Sequence, residues 1–172
     1  EAYIRDPRFE AHGCAIKWSP DLPARWWNGS ELPTLFKETD WSDVFLIHHH
    51  AQFDGLILSH HYSVLPKMWG CTLSMARLLL GNHISVSLDS VRKQFGLPEK
   101  RTPYNLFRGK RWHELTPDVQ QQVADGAVDE VESIWQLFNI LGPKIPAEEF
   151  EVIDSVIKMF TQPVLGSDIP LL

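Results

Sequence analysis

The stretch Asp43-Val44-Phe45-Leu46-Ile47-His48-His49-His50-Ala51-Gln52-Phe53-Asp54-Gly55-Leu56-Ile57-Leu58 decides the fold. Residues 44–47 are a short apolar run of the kind that forms a buried strand. Three histidines end it, and a second apolar run opens at Leu56. The handover predicts a strand entering a helix over about residues 53–62. In open α/β sheets, ligands gather where the carboxyl end of a strand passes to the next helix. Asp54 stands at such a junction, between Phe53 and Gly55. A carboxylate there can hold a divalent cation, because hard cations prefer oxygen ligands. It can also simply cap the helix, a position Asp favours, and spacing alone leans slightly to the cap.

Working outward, residues 11–18 read as a strand and residues 19–23 as a Ser-Pro-Asp-Leu-Pro turn. Residues 24–28 return as a hairpin partner, closed by Asn28-Gly29. Ser30 is placed to cap a helix over residues 31–38, with Leu32, Leu35 and Phe36 on one face. Beyond the central stretch, residues 66–70 read as extended. Residues 72–80 read as a helix stopped by Gly81 and Asn82. Ser87 caps a further helix over residues 88–95. Strands followed by a strand-helix-helix series predict a layered α/β domain.

Residues 99–115 read as a long loop, a feature usually tied to function or mobility. Thr116 then caps a helix with Pro117 at its first position. Val119, Val123, Ala127, Val131, Ile134 and Phe138 recur along it as one apolar face. Asp125, Asp129 and Glu132 share another face. Like charges four apart destabilise a helix by a few tenths of a kcal/mol. Gly126, inside the helix, costs roughly 1 kcal/mol more relative to Ala. A cation for the carboxylates and a close backbone contact at the glycine would account for both; Glu132 reads as merely solvated. Gly142-Pro143 ends this helix, and Pro146 opens a last one to about residue 161.

The 172 residues fit one domain, and 44% hydrophobic with 22% charged residues describe an ordinary globule. No apolar run approaches the ~20 residues needed to span a bilayer, and no signal peptide is evident. These features predict a cytoplasmic protein with no membrane partner. Cys14 and Cys71 match no zinc spacing and suit small core positions. The net charge of -6 conceals a basic window. Arg92, Lys93, Lys100, Arg101, Arg108, Lys110 and Arg111 face only Glu99, with Tyr104, Phe107 and Trp112 interleaved. Cations for phosphates beside aromatics for bases are what a single-strand groove requires. A solvated loop anchored by its aromatics fits the pattern equally well. His48-His49-His50, with His60 and His61, lack any zinc-protease frame, and no nucleophile elbow or phosphate-binding glycine loop is present.

Together these pieces resemble the DEDD (DnaQ-like) 3′–5′ exonucleases, above all the exonuclease region of phage and prophage family A DNA polymerases. His49-His50-Ala51-Gln52-Phe53-Asp54-Gly55 looks like the second motif, His-Asn-Ala-x-Phe-Asp. Trp69-Gly70-Cys71-Thr72-Leu73-Ser74-Met75-Ala76-Arg77 is similar to an Asp-Thr-x-x-x-Ala-Arg segment. Asp125-Gly126-Ala127-Val128-Asp129 falls where the third motif, Tyr-x-x-x-Asp, is expected.

The resemblance implies an α/β, ribonuclease H-like fold: a mixed central sheet flanked by helices, lacking its first strand in this chain. It assigns residues 1–165 to the exonuclease-like domain and 166–172 to a tail or linker. It implies a DNA 3′–5′ exonuclease of proofreading type, working in a bacterial host cytoplasm with two divalent cations, Mg²⁺ or Mn²⁺. One ion lowers the pKa of the attacking water and the other stabilises the leaving oxygen. Asp54 and Asp129 become metal ligands, with Asp125 the third catalytic residue. His49 and His50 line the 3′-terminal nucleotide, and Phe53 packs beneath the site. Arg101, Arg108, Lys110 and Arg111 contact phosphates. The partners implied are the 3′ end of single-stranded DNA and an attached or associated DNA polymerase.

Three departures stand out. The Asp-x-Glu first motif is absent and is expected upstream of Glu1. His50 replaces Asn, and Asp125 replaces the Tyr or His that orients water. The alternative they suggest is a catalytically impaired module that binds single strands or supports a polymerase.

Overall fold

The computed structural model describes residues 4–81, 83–99, 102 and 104–164. Lys100, Arg101, Asn82 and the tail at 166–172 therefore lie outside the described residues. The chain is mixed α/β. Strands β1 (Gly13–Ile16) and β2 (Arg25–Asn28) form an antiparallel hairpin, with Gly13 opposite Asn28 and Ile16 opposite Arg25. Helix α1 (Leu32–Glu38) follows. Strands β3 (Phe45–His48) and β4 (Met68–Cys71) pair in parallel, Phe45 opposite Met68 and His48 opposite Cys71. The crossover between them is α2 (Ala51–Tyr62). Then come α3 (Thr72–Leu80), α4 (Leu88–Gln94), the short α5 (Tyr104–Phe107), α6 (Pro117–Leu141) and α7 (Ala147–Thr161).

The strands do not join into the expected mixed central sheet. Among the described residues they form two separate two-stranded sheets. Both rest on α6, which touches β1, β2 and β3. β1 pairs with β2 alone and β3 with β4 alone, so each keeps one edge without a strand partner among the described residues. The outer edge of β4 is finished differently. The Trp69 N–H donates to Asp154 Oδ1 of α7 at 2.8 Å, and Lys158 Nζ donates to Asp154 Oδ2 at 2.7 Å.

Local signals explain most boundaries. Thr116 Oγ1 accepts from the Val119 N–H, and Ser87 Oγ from the Ser90 N–H, as their spacing predicts. Ser30 does not cap α1. The helix starts at Leu32 after Glu31, whose carboxylate instead accepts from the Asn28 N–H at 2.7 Å. Residues 99–115 are not wholly irregular, since α5 and a 3-10 turn at Trp112–Glu114 lie within them.

The core is built on Trp69, Met75, Leu137, Leu141 and Ile157, all fully or nearly fully buried. Gly55 lets α2 approach it: a Cβ there would sit 2.9 Å from the Thr161 methyl and 3.4 Å from the Trp69 ring. On α6 the buried face is turned from the expected one. It runs through Val123, Gly126, Ser133, Leu137 and Leu141, whereas Val119, Ala127, Val131, Ile134 and Phe138 are only half-buried. Small and polar residues occupy the centre because hairpin, strands and loop all converge there.

Candidate functional site

The site is built around the turn from β3 into α2. His50, two residues past the end of β3, leads into α2 from the left-handed region, φ 67° and ψ 49°. Few side chains accept that conformation, and Asn, Asp and His are the enriched ones. The backbone here thus accounts for a His where the resemblance expects Asn. The turn puts Asp54 in the first turn of α2, where the partial positive charge of the helix favours a carboxylate.

The Asp54 side chain is 44% exposed. Desolvation raises its pKa; His48 and His50 pull it back, and the Glu130 carboxylate adds to the rise. His48 lies behind it, with Nδ1 3.8 Å from Asp54 Oδ2, beyond hydrogen-bond length. Burial lowers the His48 pKa, partly offset by Asp54, and its Nε2 finds no partner among the described residues. On β1, desolvation pushes the Cys14 thiol up to about 12, with Asp54 adding to it.

The other candidates are distributed unevenly. His49 is held inside the protein: Nδ1 lies 3.0 Å from Thr72 Oγ1, and Nε2 donates to the Val86 carbonyl at 3.0 Å. His50 is exposed. Phe53 does not pack beneath Asp54; it is 46% exposed. On α6, Asp125 is exposed and accepts from Gln121 Nε2 at 2.8 Å, while Asp129 is half-buried. Glu132 is not a solvated residue. Its Oε1 accepts from the Ala24 N–H at 2.6 Å and from Lys17 Nζ at 3.2 Å, tying the hairpin to α6.

The basic window divides in the same way. Arg92 is 2% exposed, so it offers no surface charge. Arg111 donates to the Arg8 carbonyl at 2.5 Å and to Glu10 at 3.1 Å. Arg108 and Lys110 are exposed, and Arg101 lies outside the described residues. Trp112 stacks on Trp26 with centroids 5.8 Å apart, and His12 Nε2 donates to the Lys110 carbonyl at 3.0 Å. Trp112 is thus an anchor, whereas Tyr104 remains 49% exposed.

Sequence reasoning passed over Glu130. It accepts from the hydroxyls of Thr102 and Tyr104. Gly126, four residues before it, is the signal that could have singled it out. Among the described residues no three His, Cys, Asp or Glu side chains are grouped to hold a metal ion. A single Mg²⁺ is commonly held by one or two carboxylates together with substrate phosphates. Two ions need more protein oxygens than Asp54 and one α6 acid supply, so the described residues do not by themselves fit a pair. No helix among them is long and apolar enough to cross a membrane. Comparison of the chain with models of known families, with curated proteins and with solved structures gave no match in any of the three.

Proposed function

We propose that this chain is the ribonuclease H-like part of a DnaQ-like 3′–5′ exonuclease of proofreading type, acting on the 3′ end of single-stranded DNA. The observation that carries the proposal is the parallel β3–α2–β4 unit, with Asp54 in the first turn of α2 where β3 hands over to the helix. Asp54, the acid of the motif-like block, sits in the first turn of that helix with His48 Nδ1 3.8 Å away, and Asp129 of the third block is half-buried on α6. The two sheets on one helix also support it, since each keeps an edge without a strand partner among the described residues that a further strand could pair with. An Asp-x-Glu pair on such a strand would complete the carboxylates that the described residues lack.

In this reading the chain's own groups bind and orient. Arg108 and Lys110 meet phosphates, the exposed face of Tyr104 offers a stacking surface, and Asp54 with its α6 partner faces the terminal phosphodiester. An associated polymerase would deliver the frayed end.

Fluorescence anisotropy of a labelled single strand over a salt series tests the binding half. Each phosphate-contacting cation contributes about one to the slope of log affinity against log salt. The Arg108→Ala/Lys110→Ala double variant is expected to bind more weakly, with the slope reduced by about two. Unchanged affinity and slope in that variant would remove the proposed strand path.

A further inference from the structure

Helices α1 and α2 end beside the same open recess of about 470 Å³, a volume within the range of small-molecule sites. Phe36, Trp41, His61 and Tyr62 line it, together with Lys37 and Ser63. It is separate from the β3–α2 turn. Tyr62 ends α2 and Asp54 stands in its first turn, roughly 12 Å apart along the axis at about 1.5 Å per residue.

The aromatic walls are fixed from behind. Trp41 Nε1 donates to the Phe36 carbonyl at 2.9 Å, and Phe36 meets Trp41 and Tyr62 edge to face, with centroids 5.8 and 5.1 Å apart. His61 stacks on Phe9 at 4.4 Å, and its Nε2 donates to the Ile4 carbonyl at 2.8 Å. A ring entering the recess meets side chains with little freedom left to lose.

The lining chemistry selects the ligand. Aromatic faces suit an organic cation or a planar base. A cation also needs acceptors, and no acidic side chain lines the recess among the described residues. The helix-end carbonyls are engaged elsewhere. Those of Leu35 and Phe36 accept from Thr39 Oγ1 and Trp41 Nε1, and those of Leu58 and Ser59 accept from the Val64 and Ser63 N–H groups. Lys37, by contrast, is exposed and brings a positive charge. Aromatic faces, the hydroxyls of Tyr62 and Ser63 and one cation match a base that carries a phosphate.

We propose that this recess binds a nucleobase with its phosphate, the base among Trp41, His61 and Tyr62 and the phosphate on Lys37. A free nucleotide and a single strand both present that chemistry. Trp18, 42% exposed, lies beside Trp41 with centroids 6.3 Å apart, so the aromatic surface continues beyond Trp41. The proposal goes beyond the exonuclease reading and does not rest on it.

A titration of the whole chain, followed by the Trp41 indole N–H and the Ser63 amide signals, tests it. The probes are deoxyadenosine monophosphate, deoxyadenosine, inorganic phosphate and a short deoxyadenylate oligonucleotide. The monophosphate is expected to shift both signals, deoxyadenosine to do so with severalfold weaker affinity, and phosphate alone to leave them in place. Lys37→Ala, at an exposed position, should bring the monophosphate down to the affinity of deoxyadenosine. Tyr62→Leu should weaken both about tenfold. Asp54→Asn should change none of these values, which separates the recess from the site at the other end of α2. Tighter binding of the oligonucleotide than of the monophosphate identifies a strand as the source, and the reverse order a free nucleotide. No shift with any probe, equal shifts with inorganic phosphate, or a monophosphate affinity that Lys37→Ala leaves unchanged would overturn the proposal.

Discussion

His48 Nδ1 stands 3.8 Å from Asp54 Oδ2, and burial disfavours the charged form of both partners. For Asp54 the folded pKa is raised, so the native state binds more protons than the unfolded one and stability falls as pH rises through the carboxylate range. Asp54→Asn is therefore expected to stabilise the chain at about pH 7, with the gain fading as pH falls from the raised folded value towards the ordinary 3.8 and absent below it. Thermal unfolding at both ends of that range checks it; a lower midpoint at neutral pH would contradict it.

For His48 the folded pKa is lowered, so stability is present above the ordinary imidazole value of 6.5 and is lost as pH falls through the folded value. His48→Asn should flatten the loss of stability on acidification below 6.5. Urea unfolding at a series of pH values measures the slope, and an unchanged slope would show that another group carries it.

Glu132 holds the hairpin by accepting from Ala24 and Lys17. Glu132→Ala removes a charged acceptor from a half-buried N–H and should cost about 2 kcal/mol. Glu132→Gln, which keeps an acceptor, should cost less. Denaturant midpoints compare the two, with hairpin fraying read by amide exchange at residues 25–28.

Asp154 accepts from the Trp69 N–H and from Lys158 Nζ. Asp154→Ala strands a buried donor at the strand edge, although Lys158 is 35% exposed and can turn to water. A loss of about 3 kcal/mol is expected, at the low end for a broken buried pair. A loss below about 1 kcal/mol would mean that the edge of β4 is satisfied by other means.

Gly126→Ala would gain roughly 1 kcal/mol in an unconstrained helix. Here the new Cβ meets Thr102 at 2.9 Å. The substitution is expected to displace Thr102, speed amide exchange over residues 104–110 and weaken single-strand binding, with no net rise in stability. A simple gain in stability with unchanged binding would contradict a close contact between Gly126 and Thr102.

Much of this architecture was legible in the sequence, because local chemistry fixes it. Thr116-Pro117 and Ser87 open helices by capping, and the apolar run before His48 does form a strand. The glycine at 126 did signal close contact. The rotation of α6 was not legible. Apolar periodicity pointed to Val131 and Ile134, while the helix buries Gly126 and Ser133 because strands and loop crowd that side. The fates of Glu132, His49 and Arg111 depend on partners 108, 37 and 101 residues away. No reading of neighbouring residues finds such pairs. Likewise the division into two sheets follows from pairing between strands, which periodicity does not encode.

The central claim is tested most directly by nucleotide release from a 3′-labelled single strand with Mg²⁺ or Mn²⁺, with and without chelator. The chain is run beside a version carrying an Asp-x-Glu strand grafted ahead of Glu1, each with and without Asp54→Asn. Release that requires the grafted strand, and is abolished by chelator and by Asp54→Asn, is the predicted result. Release from neither form, or release that survives both chelator and Asp54→Asn, would contradict it.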